Sequence, residues 1–376
     1  MTKIYTATKL EVFYQFEEIK PLKAAKMRKE LWTSADIKKL FRAEDRLKSV
    51  QTLYNAENKG EVPKAERIPR GKIQVRNWRI NQLPAIGKKY GFLNKPDKQI
   101  VMCKYIQKGG VLKTTTTYNE ARTFALNGIK TLVIGQDFEC SITDIIYPRQ
   151  DIIKLEDSIK PLGLYHYFVE GASINEIIKH TELPTLDIIP ETHDLSILEK
   201  WLNQQKRREY IYKDRLIPEL SNYDVIIFDN NPGWTHLVEN ALVASHAVVC
   251  PLGCNLLAYN ASETNMASIL EFQSEMRLDT QKIIAYPTLL NKSSLSQQAY
   301  GQYLTRLSDY IINKPIRYTV AGEEALMQGQ SIFEAAPSSA LAQQYYELLT
   351  EEWKALNQPY DEYIKTNYSS FNEEEF

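Results

Sequence analysis

The stretch Ile100-Val101-Met102-Cys103-Lys104-Tyr105-Ile106-Gln107-Lys108-Gly109-Gly110-Val111-Leu112-Lys113-Thr114-Thr115-Thr116 decides how this chain is read. Its first seven residues read as an apolar strand, and Lys113-Thr114 opens a helix, so a glycine-bearing loop lies between the two. Amides at such a helix start have no intrahelical acceptor and carry the positive end of the helix dipole, an arrangement that suits phosphate. Gly109 and Gly110 let the backbone approach the anion, and the cradle they open runs through Val111 and Leu112 to Thr115. Lys113 supplies positive charge to the outer phosphates, and the Thr114 hydroxyl is placed to ligate Mg²⁺. Leu112 stands where the pattern G-x-x-x-x-G-K-[ST] has its second glycine, so a strict search for that pattern passes over the loop.

Working outward, short β-branched runs at 131–134, 225–228, 247–250 and 283–290 alternate with helical stretches. That alternation predicts an α/β fold, a mostly parallel sheet flanked by helices. The polar, proline-bearing stretch Leu93 to Lys98 marks the front of this region. Ahead of it, Thr33-Ser34-Ala35-Asp36 is a helix start, with Thr33 or Ser34 as cap and Ile37, Leu40 and Phe41 at helical spacing. A second helix fits Val50 to Asn58, ended by Gly60, and Lys72 to Arg76 alternates as a hairpin strand does. Two helices followed by a hairpin bearing Lys64, Arg67, Arg70, Lys72, Arg76 and Arg79 are the parts of a small winged helix-turn-helix domain, whose basic wing meets DNA phosphates. The expected organisation is therefore an N-terminal helical segment at 1–30, whose Leu10, Phe13, Tyr14 and Phe16 make it a candidate core-facing or dimer-forming helix, then a winged module at 31–95, a P-loop domain at 96–357 and an acidic tail at 358–376.

Charge divides the chain at the same place. Residues 1–95 hold 22 Lys and Arg against 10 Asp and Glu, while the remainder holds 24 against 37, so a net charge of -1 hides a basic module joined to an acidic one. With 376 residues, 43% apolar and 25% charged, the composition excludes disordered, collagen-like and disulfide-scaffold classes. No run approaches the length of a membrane-spanning helix and the N-terminus lacks a signal-peptide core, so a cytoplasmic protein is expected. Cys103, Cys140, Cys250 and Cys254 are too scattered for a disulfide framework and read as buried thiols, and the five histidines show no metal-ligand spacing.

The order Lys108-Gly109-Gly110-x-x-Lys113-Thr114 resembles the deviant Walker A loop of the ParA/MinD class of P-loop ATPases, in which ParA proteins with N-terminal DNA-binding domains often lack the second glycine. The resemblance implies that Lys108 crosses a homodimer interface to the partner's phosphates. Thr131 to Ser141 is similar to the family strand ending in D-x-D-P-Q: Asp137 matches the second aspartate, which helps orient the attacking water, while Gly135 replaces the first aspartate and Glu139 the glutamine. Asn222 to Pro232 resembles the Walker B strand, giving Asp229 the metal-linked carboxylate. Gly329 to Ser339 looks like the C-terminal G-x-x-I-x-E-x-x-P segment, which with Asn291 would place Pro337 near the adenine. The likeness covers roughly 98–356, and residues 33–90 look like the winged domain of the longer plasmid ParA proteins.

From the resemblance follow ATP, ADP and Mg²⁺ as cofactors, Lys108, Lys113 and Asp137 as catalytic groups, and Thr114, Asp137 and Asp229 around the metal. Slow hydrolysis set by water positioning is expected, because no strong proton acceptor is evident. It also implies nucleoid association, non-specific DNA contacts (with Arg306, Lys314 and Arg317 as candidates), a ParB-type centromere-binding partner and autorepression at operator DNA. A nucleotide-sensing transcription regulator without cargo is the rival reading, and an anchoring membrane helix is disfavoured by the acidic end.

Overall fold

The structure is a computed structural model that describes residues 29–147 and 161–367. The candidate dimerising segment at 1–30 therefore lies almost wholly outside the described residues, as does the chain end from 368.

At the front, β1 (Leu31–Thr33) leads into α1 (Ser34–Leu40). Thr33 is the cap: its hydroxyl accepts the Asp36 amide at 3.3 Å, and the Asp36 carboxylate accepts the Thr33 amide at 2.9 Å, a reciprocal box that satisfies two free donors. There follow α2 (Val50–Asn58) and a hairpin of β2 (Glu66–Arg70) and β3 (Ile73–Arg79), with β1 added antiparallel to β3. The hairpin strand expected at 72–76 thus runs three residues further, because Trp78 is needed in the core, where its indole donates to the Pro63 carbonyl at 2.8 Å. A helix that the sequence pattern did not announce, α3 (Leu83–Tyr90), closes this module.

The second region is a seven-stranded sheet in the order β10-β9-β4-β8-β5-β7-β6. Its strands are β4 (Ile100–Lys104), β5 (Thr131–Gln136), β6 (Lys179–His180), β7 (Leu186–Ile189), β8 (Val225–Asn230), β9 (Ala247–Gly253) and β10 (Lys282–Thr288). All neighbours are parallel except β6, which runs antiparallel to β7 on the edge. Apart from the edge strand β6, the strands are buried throughout and mostly apolar on both faces, as a sheet covered on two sides requires. Ile100, Met102, Ile227 and Val249 enter one core cluster, whereas Val101, Cys103, Phe228 and Cys250 enter the other. All four cysteines are buried and none is in a disulfide among the described residues.

The helices on these faces are α4 (Lys113–Leu126), α5 (Ser141–Ile146), α6 (Ile174–Ile177), α7 (Leu195–Asn203), α8 (His236–Ala244), α9 (Leu256–Glu275), α10 (Ser294–Arg306), α11 (Val320–Met327), α12 (Ile332–Ala335), α13 (Ala340–Asn357) and α14 (Tyr360–Asn367). The last corrects the expectation of an acidic tail from 358. Residues 360–367 are helical and docked, with Tyr363 buried and its hydroxyl donating to the Ile283 carbonyl at 2.5 Å. An aromatic residue able to bury its ring outweighs the solvating charges beside it.

The stretch Leu93 to Lys98 is likewise tied down. The Leu93 amide donates to Asn127 Oδ1 at 3.1 Å, and the Trp353 indole donates to the Asn94 carbonyl at 3.1 Å. The front module and one face of the sheet share a continuous core, from Trp32 and Trp78 through Phe124 to Leu348.

Candidate nucleotide site

The site forms where β4 ends, at the carboxyl edge of the sheet and beside the point where strand order reverses, the usual ligand position in open α/β sheets. The loop after β4 bends through Gly110 at φ +71 and Leu112 at φ +66, both left-handed, before α4 begins at Lys113. Leu112 therefore adopts the backbone that the missing second glycine would adopt freely, at a cost of about 1–2 kcal/mol. Its side chain is half-buried and packs on the core, which offsets part of that cost.

A cavity of about 680 Å³ opens over the loop, lined by Gly109, Gly110, Lys113, Thr114 and Thr115 on one side and by Asp137, Phe138, Ser141 and Asn231 on the other. Its size falls in the range of small-ligand sites. A Cβ built on Gly109 or Gly110 meets nothing within 4 Å, so the loop backbone faces open space that a phosphate can enter. The Lys113 ammonium folds back onto the loop and donates to the Lys108 carbonyl at 3.1 Å. Burial lowers its pKa, while the Asp229 and Asp137 carboxylates pull the other way.

Asp229 is the penultimate residue of β8, with its carboxylate fully buried. One oxygen accepts from the Thr114 hydroxyl at 2.9 Å and the other from the Thr117 hydroxyl at 2.7 Å. Burial raises its pKa, opposed by those two hydroxyls and by Lys113. Thr114 thus spends its proton on Asp229 and turns its lone pairs outward, a donor set that fits Mg²⁺ bound through one hydroxyl, a carboxylate and substrate phosphates. Among the described residues no cluster of three or more His, Cys, Asp or Glu side chains is arranged to hold a metal by itself. Asp137 lies across the cavity, its Oδ1 accepting the Glu139 amide at 3.1 Å.

The structure thus brings Lys113, Thr114, Thr115, Asp137, Asp229 and the two glycines together. Lys108 is half-buried but its side chain does not line the cavity, and Val111 turns into the core with its carbonyl accepting from Thr288 Oγ1 at 3.1 Å. Asn291 and Pro337 are not among the lining residues either. The Asn291 side chain accepts the Ser293 amide at 2.9 Å within its own turn, and the Pro337 carbonyl accepts from Arg42 at 3.0 Å. The segment before Pro337 is nonetheless fixed to α4: Glu334 holds the buried Arg122 guanidinium, with Oε1 at 2.8 Å from Nη2, and Asn119 Oδ1 accepts the Ile332 amide at 2.9 Å.

On the basic hairpin, Lys64, Arg67, Arg70 and Lys72 are exposed. Arg76 departs from the expected DNA-facing set. It pairs with Glu57 at 2.7 Å and stacks on the Tyr54 ring at 3.8 Å, which fastens the hairpin to α2. Arg79 pairs with Glu66 at 2.5 Å, at the surface. Of the other basic candidates, Arg306 pairs with Glu263 at 2.9 Å and Lys314 with Glu347 at 3.5 Å.

Sequence reading passed over three contributors. Thr117 was findable, since it lies one turn beyond Thr114 on the same face of α4. Asn231 follows the Walker B aspartate by two and donates to the Gln136 carbonyl at 3.2 Å. Glu191 carried no local signal. It lies just past β7, buried, with burial and then the Asp229 charge pushing its carboxyl up to about 8.

The family model described as an AAA domain matches residues 98–283. The chromosome partitioning protein ParA of Caulobacter vibrioides is 30% identical over 252 residues, which are 65% of this chain and 90% of that protein. The sporulation initiation inhibitor protein Soj of Bacillus subtilis is 29% identical over 246 residues, 65% of this chain and 94% of Soj. Among solved structures, a plasmid partition protein from Borrelia burgdorferi superposes with a TM-score of 0.54 at 20% identity, covering 69% of this chain and 99% of the other. An ATP complex of a Cyanothece McdA variant superposes with a TM-score of 0.58 at 18% identity, covering 69% and 98%. These structural likenesses bear on the fold, a P-loop sheet with the same helical cover. The identity to ParA over nine-tenths of that protein decides the rest: this chain belongs to the ParA family of partition ATPases.

Proposed function

We propose that this protein is a Mg²⁺-dependent ATPase switch for DNA partition. ATP lies in the loop after β4 with its outer phosphates on the α4 amides and Lys113, and Mg²⁺ is held by Thr114 with Asp229 behind it. Bound Mg²⁺ neutralises phosphate charge and so eases both nucleotide binding and hydrolysis. Asp137, across the cavity, orients the attacking water. The observation that carries this reading is the convergence of Lys113, Thr114 and Asp137 on one open cavity whose glycine floor is free of side chains, with buried Asp229 bonded behind Thr114.

In the proposed cycle, ATP between two copies of the chain offsets charge that keeps them apart, so the homodimer forms with ATP and loosens after hydrolysis. Lys108 supports this: its carbonyl serves its own loop, whereas its ammonium does not line its own cavity and is left for the partner's phosphates. The dimer holds DNA without sequence choice, and a ParB-type partner stimulates turnover and releases it. The exposed cations of the hairpin support a second role, operator binding by the front module as a winged helix-turn-helix. No helix among the described residues is long and apolar enough to cross a membrane, and we place the protein in the cytoplasm on the nucleoid.

Sedimentation with and without a non-hydrolysable ATP analogue tests the switch; an unchanged mass refutes it. ATP turnover measured alone, with non-specific DNA and with the product of the adjacent gene tests the rest. Absence of stimulation, combined with a nucleotide-dependent footprint at its own promoter, would select the nucleotide-sensing regulator without cargo.

A further inference from the structure

Strand register places Gly135 of β5 directly beside Asp229 of β8, and β7 flanks β5 on its other side through the Ile134–Ile189 pair. Glu191, two residues beyond Ile189, turns back over this row. A Cβ built on Gly135 would lie 2.4 Å from Glu191 Cγ, 2.6 Å from its Cδ and 2.9 Å from Ile142 Cγ2, so the Glu191 side chain takes most of the volume that a side chain at 135 would need. Its two oxygens are both engaged. Oε1 accepts the Asp137 amide at 3.2 Å and Oε2 accepts the Thr143 amide at 3.0 Å, while the Glu191 amide donates back to Thr143 Oγ1 at 2.9 Å. Thr143 sits in the first turn of α5 and Asp137 at the start of the loop before it.

We propose that Glu191 is a positioning residue for ATP hydrolysis, a carboxyl group delivered from the adjacent strand into the space left by Gly135, which clamps both ends of the 137–143 loop and so aims Asp137 at the cavity. The inference rests on the ATPase reading given above. It follows from the geometry because one buried side chain fixes both the backbone of the water-orienting residue and the helix that ends its loop. Gly135 and Glu191 then form a matched pair: the absence of a side chain at one is the condition for the other.

The test uses the full chain in four variants. Glu191→Gln keeps shape but turns one acceptor into an amide donor facing an N–H, so kcat is expected to fall about tenfold or more while affinity for a non-hydrolysable ATP analogue stays within about twofold, a split that general destabilisation would not produce. In nucleotide-free Glu191→Ala, hydrogen exchange of the 137–143 amides is expected to quicken about tenfold or more relative to β4. Gly135→Asp alone collides with Glu191 and loses turnover; Gly135→Asp with Glu191→Ala relieves that overlap, leaves only a 2.9 Å approach of the new Cβ to the Ile142 Cγ2 methyl, supplies a carboxylate from β5, and regains at least about tenfold over the single variant. Turnover within twofold of the parent in both Glu191 variants, unchanged exchange of the loop amides, or a double variant no better than Gly135→Asp overturns the proposal. A parent protein that fails to bind the analogue refutes the ATPase reading instead, and the exchange measurement, made without nucleotide, separates the two failures.

Discussion

Leu112 offers the sharpest check on the loop geometry, because two substitutions at one position separate strain from packing. At φ +66 any residue with a Cβ incurs about 1–2 kcal/mol that glycine does not. Alanine removes the half-buried leucine side chain but keeps the strain; glycine removes both and costs the unfolded-state entropy of about 0.5–1 kcal/mol relative to alanine. The packing loss is common to both variants, so the difference between them isolates the backbone. Leu112→Gly should be more stable than Leu112→Ala by about 0.5–1 kcal/mol, or roughly 1–3 °C in the melting of a domain this size. Both should retain nucleotide binding, since the Gly109 and Gly110 floor and Lys113 are untouched. Paired thermal melts of the two proteins, run with and without ATP analogue, give the answer. If the alanine variant melts higher than the glycine variant, the loop does not take the left-handed turn, and the account of how Leu112 replaces a glycine fails with it.

Asp229→Asn keeps the shape of a fully buried carboxylate and its place between Thr114 and Thr117 but removes the charge. Affinity for ATP analogue in Mg²⁺ should drop by about 2–3 kcal/mol, on the order of a hundredfold, with little change in EDTA, as titration calorimetry would read. Stability should decline as pH rises from about 4.5 toward 8. Burial and the facing Glu352 raise the Glu120 pKa to about 8, so between those limits the folded state holds a proton that the unfolded state has lost. Glu352→Gln removes the second of two carboxylates sharing Lys104 and should lessen that decline in denaturation curves taken at pH 6 and 8.5, leaving the part that belongs to Glu191, whose carboxyl is likewise raised to about 8. On the hairpin, replacing Arg67, Arg70 and Lys72 together by alanine should lower DNA affinity and reduce the salt slope of binding by about 3, roughly one per cation. Arg76→Ala should instead lower the melting temperature, because its guanidinium packs on Tyr54 and Glu57.

The phosphate loop was legible because its determinants are consecutive, from the apolar strand Ile100–Lys104 through Gly109 and Gly110 to Lys113 and Thr114. Asp229 was legible because an apolar run that ends in an acid shows the strand and its chemical end together. Glu191 was invisible for the opposite reason: its role depends on which strand lies beside β5 and in what register, and no residue near 191 encodes that pairing. The attachment of the front module is a stronger case. Polar, proline-bearing residues before 98 have the composition of a linker, yet the backbone there is held by Asn127 and Trp353, the first of these at the end of α4. Gly87 in α3 permits this closeness, since a Cβ there would lie 1.8 Å from the Leu126 carbonyl oxygen, inside any possible contact. Arg42 completes the seam by donating to the Pro337 carbonyl and stacking on Tyr346 at 5.3 Å. So α4 carries three attachments. Its first turn faces the phosphate cavity, its middle is bound through Arg122 to Glu334, and its last turn bears the front module. A glycine in one helix and an asparagine at the end of another decide that arrangement, and each reads by itself as an ordinary helix residue. Composition separates the basic and acidic parts of the chain, but only three-dimensional packing shows that the helix at the candidate nucleotide site is also the one on which the basic part rests.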